Sequence, residues 1–163
     1  MTRHTTMTRN RRGFTMIEIM AVVTVLGALA ALVIPTFGSL TDEAARAAFV
    51  ADIKGYSSAS SLFYAQNARW PEDSSSGAIP TGFESYIDPV KWNKGTPIGG
   101  VWDFENASFG YGSSFGVHFN GTGATQDDTY MSEVDGLFDG GDLTTGGFRE
   151  IEDNSRYYYV NAF

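Results

Sequence analysis

Twenty-four consecutive residues, Phe14–Phe37, carry a single charge, Glu18. As a helix rising about 1.5 Å per residue they reach roughly 36 Å, enough to cross the hydrocarbon core of a bilayer. Arg3, Arg9, Arg11 and Arg12 precede the run with no acid among them. The positive-inside rule keeps these arginines in the cytoplasm and places everything after Phe37 outside. Beyond Gly13 the balance reverses to 7 basic side chains (11 minus 4) against 19 acidic ones. The two parts of the chain therefore suit different surroundings.

Composition narrows the function classes. The 163 residues include no cysteine and only His4 and His118, so transition-metal clusters, thiol nucleophiles and disulfide frameworks cannot be built. A formal charge of −8 argues against a nucleic-acid partner, which needs clustered Lys and Arg. The carboxylates are numerous, but no spacing selects a catalytic pair, and no enzyme is expected.

The N-terminus admits three readings. A secretory signal peptide fits the basic and apolar regions, but its small-x-small site, Ala45-Arg46-Ala47, lies well beyond the apolar run. Arg11-Arg12-Gly13-Phe14 has the RRxF form of a twin-arginine export signal. That reading inherits the same misplaced site and leaves Glu18 unexplained. The third reading takes the whole run Arg11-Arg12-Gly13-Phe14-Thr15-Met16-Ile17-Glu18-Ile19-Met20, which resembles the class III signal of type IV prepilins and type II secretion pseudopilins.

The resemblance implies cleavage between Gly13 and Phe14 by a prepilin peptidase, N-methylation of Phe14, and an assembly role for Glu18. Gly27 and Pro35 also fall where that family has a helix-loosening glycine and a proline. A start at Met7 gives a shorter, more usual leader than a start at Met1, and both methionines remain candidates. A carboxylate at membrane depth is expensive unless it snorkels or finds a partner. The resemblance implies that the partner is the Phe14 ammonium of a neighbouring subunit, a pairing suited to setting register.

Pro35 either ends a transmembrane helix or kinks a longer one. Phe37, Leu40, Ala44, Ala48, Ile53, Tyr56 and Phe63 continue beyond it largely at three- and four-residue steps. The expected element is therefore one helix from Phe14 to Gln66, loosened at Gly27–Pro35, with Asp42 and Arg46 as a supporting pair. Turn residues gather from Asn67, and Pro71 follows Trp70. Ala68-Arg69-Trp70-Pro71 resembles the G-x-[YW]-P segment of many pseudopilins, with alanine in place of glycine.

Beyond this point residues 79–99 read as a loop or short helix between prolines. Gly100–Glu105 alternates like a strand, Phe109–Phe119 reads as a strand or hairpin, and Arg156–Phe163 as a closing strand. The fold class is α+β: a long N-terminal helix, half transmembrane and half amphipathic, packed against a small antiparallel head. The domain scheme is leader 1–13, transmembrane or filament-core helix 14–37, amphipathic helix 38–66 and β-rich head 67–163. The aromatic residues read as the head's core, and His118 as a strand residue without a catalytic role.

The tract from Asp127 to Asp153 holds nine acids and one cation, Arg149. Some type II major pseudopilins carry calcium in a C-terminal loop, and by that resemblance Asp135, Asp139 and Asp142 are candidate Ca²⁺ ligands. The plain alternative is a solvated acidic loop. No cofactor is required by the assembly reading.

The expected function is a structural subunit of a type IV pilus or type II secretion pseudopilus. The family implies pilin-like partners, the peptidase, an assembly ATPase and an inner-membrane platform protein. It also implies single-pass residence in a bacterial inner membrane with the N-terminus cytoplasmic, before entry into a periplasmic pseudopilus or an extracellular pilus. The short head without a disulfide resembles a major pseudopilin more than a cysteine-looped pilin. The alternatives are a membrane-anchored or Tat-exported ligand-binding protein, and a minor-pilin adhesin.

Overall fold

The computed structural model describes residues 13–121, 125–152 and 155–161, with the side chains of 33–39, 108 and 161 left aside. The leader before Gly13, both candidate start methionines, Asp153 and Phe163 lie outside the described residues. The chain divides into two compact units, one ending at Leu40 and the other beginning at Thr41.

Helix α1 spans Met16–Asn67, a range that includes Gly27 and Pro35. It opens on a capping box. Glu18 accepts from the Thr15 amide at 2.8 Å and the Thr15 hydroxyl at 2.7 Å, and the Thr15 Oγ1 accepts from the Glu18 amide at 3.3 Å. At the other end the Ala68 amide donates to Tyr64 O at 2.8 Å with Ala68 at φ 54°. This left-handed cap is the position where a helix favours glycine. The alanine that departs from the G-x-[YW]-P pattern thus occupies the pattern's strained site.

The second unit forms its core between the later part of α1 and a four-stranded antiparallel sheet. Its strands are β1 (Val101–Asn106), β2 (Ser113–His118), β3 (Phe148–Glu152) and β4 (Arg156–Asn161), in the order β1-β2-β4-β3. α1 buries Phe49, Ile53, Tyr56, Ser60 and Phe63, positions that step by four and three along one face. Leu40, Ala44 and Ala48, expected on that face, are exposed, and Phe49 and Val50 are buried instead. Across from α1, Trp102, Phe104, Phe115 and Phe148 complete an aromatic core. Two short helices pack at its margins, α2 (Pro89–Trp92), which buries Trp92, and α3 (Asp128–Asp135), which buries Met131 and Val134.

Both α3 and β3 fall inside the tract that reads as an acidic loop. Asp127 caps α3 by accepting from the Tyr130 amide at 2.9 Å, so acid residues here start a helix. Arg46 also departs from expectation. Its guanidinium reaches Glu133 on α3 at 2.7 Å and covers the Tyr130 ring at 4.9 Å, rather than joining Asp42 along α1.

Asp103, Gly116 and Tyr158 stand in register across three strands. Any Cβ at Gly116 would run into the Tyr157 carbonyl and the Tyr158 ring. The empty central position lets the Tyr158 hydroxyl cross the sheet and donate to Asp103 at 2.7 Å. Burial and the Asp103 charge push the Tyr158 phenol far up, which keeps it a donor.

Candidate assembly and processing site

From Phe14 to Leu32 nearly every apolar side chain is exposed in the first unit, Phe14 to 81% and Leu32 to 73%. A helix apolar on all sides is stable only when lipid or protein covers it. Among the described residues no helix is long and apolar enough to cross a membrane; residues 33–39, which complete the apolar run, have no described side chains. Ala21, Val22, Val25 and Leu26 line a shallow, wholly apolar groove of about 300 Å³, shaped for aliphatic contact.

Gly13 and Phe14 precede α1 in non-helical backbone. Glu18 stands one turn into the helix with Thr15 as its partner, and both side-chain bonds use Oε2. Thr15 is a functional candidate absent from the sequence reading, although Thr-x-x-Glu is a capping-box pattern legible in the chain. The structure places Gly27 and Pro35 within α1, and the side chain of Pro35 is outside the description.

The three calcium candidates do not converge. Asp139 accepts from the Gly147 amide, and Asp142 accepts from the Thr144 amide at 3.0 Å and hydroxyl at 2.6 Å. Asp135 is 1% exposed, and neither of its carboxylate oxygens has a hydrogen-bond partner. Burial first, then the neighbouring Asp139, push its carboxyl up to about 6, while the nearby Gly141 and Asp142 amides pull the other way without reaching hydrogen-bonding geometry. Among the described residues, no group of three or more acidic or histidine side chains forms a metal-ligand set.

A second polar cluster pins the loop before α2 onto the sheet. The Ser76 hydroxyl donates to Asp103 at 2.7 Å, so its oxygen is left to accept from His118 Nδ1, also at 2.7 Å. The same imidazole nitrogen lies 3.9 Å from Asp103. A nucleophilic relay needs the serine proton aimed at histidine and the carboxylate on the other ring nitrogen. Here the serine proton is spent on the carboxylate, and the cluster is a fastening.

Burial first, then Arg156, holds His118 below its ordinary pKa, opposed by Asp103 and Glu152. A histidine depressed on folding contributes stability above its unfolded pKa of about 6.5, and that contribution fades as pH falls through the folded value. His118→Gln is therefore expected to flatten the loss of stability between pH 7.5 and 5. Thermal melts of both chains across that window check this, and identical slopes would contradict it.

Residues 8–34 match the prokaryotic N-terminal methylation motif. The chain is 38% identical over 93 residues to type II secretion system core protein G of Pseudomonas aeruginosa, covering 53% of this chain and 61% of that one. It is 40% identical over 63 residues to core protein G of Klebsiella michiganensis, covering 39% and 44%. Type IV major pilin protein PilE1 of Neisseria gonorrhoeae is 30% identical over 89 residues, covering 52% and 49%. The chain thus spans about half the length of these relatives. Among solved structures, the major type IV pilin PilA1 from Clostridium difficile superposes with a TM-score of 0.53 at 16% identity, covering 73% of this chain and 95% of that one.

Proposed function

We propose that this chain, which carries the prokaryotic N-terminal methylation motif and has the fold of a type IV pilin, is a structural subunit of a type IV pilus or type II secretion pseudopilus. The observation that carries the reading is the apolar surface of residues 14–32, exposed on every side of the helix and joined to a head with its own closed core. Lipid covers that surface before assembly, and the helices of neighbouring subunits cover it afterwards. The chain acts as a building block and not as an enzyme.

In this account the arginines hold the leader 1–13 in the cytoplasm, and residues 14–37 anchor the precursor as a single inner-membrane span. Residues 38–66 carry the helix into the head, 67–163. A prepilin peptidase cuts after Gly13 and Phe14 is methylated. The new ammonium pairs with Glu18 of a neighbour, setting the axial step. Gly27 and Pro35 loosen the helix where it must bend or stretch in the polymer. Extraction from the membrane is the work of an assembly ATPase and a platform protein, delivering the subunit to a periplasmic pseudopilus or a surface pilus. Analysis of the mature N-terminus tests the processing step, and a methylated Phe14 is the expected residue.

The calcium reading takes a narrower form. Asp135 and Asp139 would hold a hard cation, with Asp142 committed to its own turn. What supports it is the pair of unpartnered oxygens on a buried carboxylate, which a Ca²⁺ charge would neutralise. A higher melting temperature for the detergent-solubilised chain in Ca²⁺ than in EGTA is expected, and equal temperatures would remove the site.

A further inference from the structure

Residues 41–163 carry 7 basic and 18 acidic side chains, a balance of −11 with histidine neutral. Stacking such heads in a polymer places like charges side by side, which must be screened or locally compensated. Almost every head cation is already engaged. Arg46 pairs with Glu133, Arg69 with Glu72, Lys91 with Asp52, and Arg156 with Glu105 and Glu152. Lys54 lies over the Phe138 ring and Arg149 over Tyr111. Among the described residues of this unit, Lys94 is the remaining cation, exposed and without a partner.

Lys94 stands on a rigid ledge. Asp88 caps α2 through the Val90 and Lys91 amides, and Trp92 is buried beneath with its indole donating to Gly77 O at 3.1 Å. The following turn closes through Thr96 and Gly100. An open cavity of about 360 Å³ borders the ledge, lined by Asp52, Lys91, Lys94, Gly95, Thr96 and Pro97. Val90, on the same ledge, is 67% exposed, more than any other large apolar side chain of the described head.

The complementary surface is on the same molecule. Leu137 is 48% exposed beside the exposed carboxylates of Asp139 and Asp142. This loop is also fixed, since Phe138 stacks on Phe148 at 4.9 Å and on Tyr159 at 5.2 Å. The two surfaces lie on different flanks of α1. The ledge is tied to Asp52 and the loop to Lys54, and residues two apart point about 200° apart around a helix. A patch that fits a different patch on an identical molecule makes a head-to-tail contact, and such contacts propagate as an open filament where their rotation does not close a ring.

We propose that Val90 and Lys94 of one copy dock the Leu137–Asp142 loop of the next. The occupant is a second copy of this chain. Leu137 covers Val90, and Lys94 meets the exposed Asp142 carboxylate, which no head cation of its own molecule answers. The proposal rests on the filament reading and assigns its lateral contact. Both patches are preorganised, so docking orders little chain and keeps most of its interaction energy.

The chain has no cysteine, which makes disulfide trapping clean. Full-length Val90→Cys/Leu137→Cys is produced in the native host, and sheared filaments are oxidised and run without reductant. A ladder of dimers, trimers and higher species is expected, with monomer only from either single variant. Independently, Lys94→Glu is expected to lower filament yield about tenfold at low salt with cleavage intact, and Lys94→Arg to retain it. Filaments of normal yield from Lys94→Glu, together with no ladder from the double variant, would overturn this contact while the filament reading stands. Dimers from Val90→Cys alone would overturn it in favour of a self-complementary contact. A wild-type chain that forms no filament in its host would overturn both.

Discussion

Glu18→Ala is expected to leave the precursor in the membrane and correctly cut, while filaments disappear from sheared fractions. Glu18 is the fifth residue after the Gly13–Phe14 bond and lies in α1, where it caps its own helix through Thr15. Its removal loses one local cap in a helix of 52 residues, a modest effect on helix formation. In the proposed filament Glu18 has a second role. Both side-chain bonds to Thr15 use Oε2, leaving Oε1 open to a new cation, which in the proposed filament would be the Phe14 ammonium of the next subunit. Apolar helices slide past one another with little preference for register, and a charged pair in an apolar setting penalises every other alignment. Glu18→Gln keeps the cap acceptor and removes the charge, so it separates the two roles. Immunoblots for cleavage beside electron microscopy for filaments give both readouts. Filaments at normal yield from Glu18→Gln would show that charge pairing does not set the register.

Trp102→Ala is expected to destabilise the second unit by about 3–5 kcal/mol, the cost of deleting a large buried aromatic. Trp102 is 1% exposed and sits where three elements meet. It stacks on Phe49 of α1 at 5.4 Å, meets Tyr56 edge-on at 5.0 Å, and lies 6.1 Å from Trp92 of α2. Set against typical domain stabilities of about 5–15 kcal/mol, such a loss would leave much of the head unfolded on warming. Trp102→Phe is expected to cost less than Trp102→Ala, because it retains an aromatic face and removes an indole N–H that is buried without an acceptor. Urea unfolding of the three chains measures both effects. A loss below about 1 kcal/mol for Trp102→Ala would mean that the aromatic cluster does not hold the sheet to α1.

The N-terminal half of this architecture was legible because its signals are local. A long apolar run, a glycine–phenylalanine junction and a single acid at fixed spacing need no tertiary context. The Thr15 cap was equally local but lay beneath the stronger assembly reading of Glu18. Strands β1, β2 and β4 showed through their alternation of aromatic and polar residues. Helix α3 did not, since its sequence from Asp128 to Asp135 is mostly polar and only Met131 and Val134, three apart, mark a buried face. The Ser76, Asp103 and His118 cluster was invisible for another reason. Asp103 and His118 lie 27 and 42 residues from Ser76, and only sheet register, with the loop before α2 laid on the sheet, brings the three together. Arg46 followed the same rule, choosing Glu133 across space over Asp42 along its own helix.

Ala68 shows how a departure from a pattern becomes interpretable. The sequence shows alanine where the resembling segment has glycine, and the structure shows φ 54° at that residue. A left-handed conformation costs alanine roughly 1–2 kcal/mol. The cost is tolerated because Pro71 and the Tyr64–Trp70 ring contact, 4.6 Å between centroids, fix the chain's exit from the helix.

The central claim is that this chain is processed into a filament subunit, and the mature N-terminus tests it most directly. Intact-mass and N-terminal fragment spectra of the protein from its native host are expected to show a chain beginning at Phe14, with the added mass of one methyl group on its amine. An uncleaved chain, or one beginning near Ala48, would contradict the account and return the protein to the class of anchored or exported acidic domains.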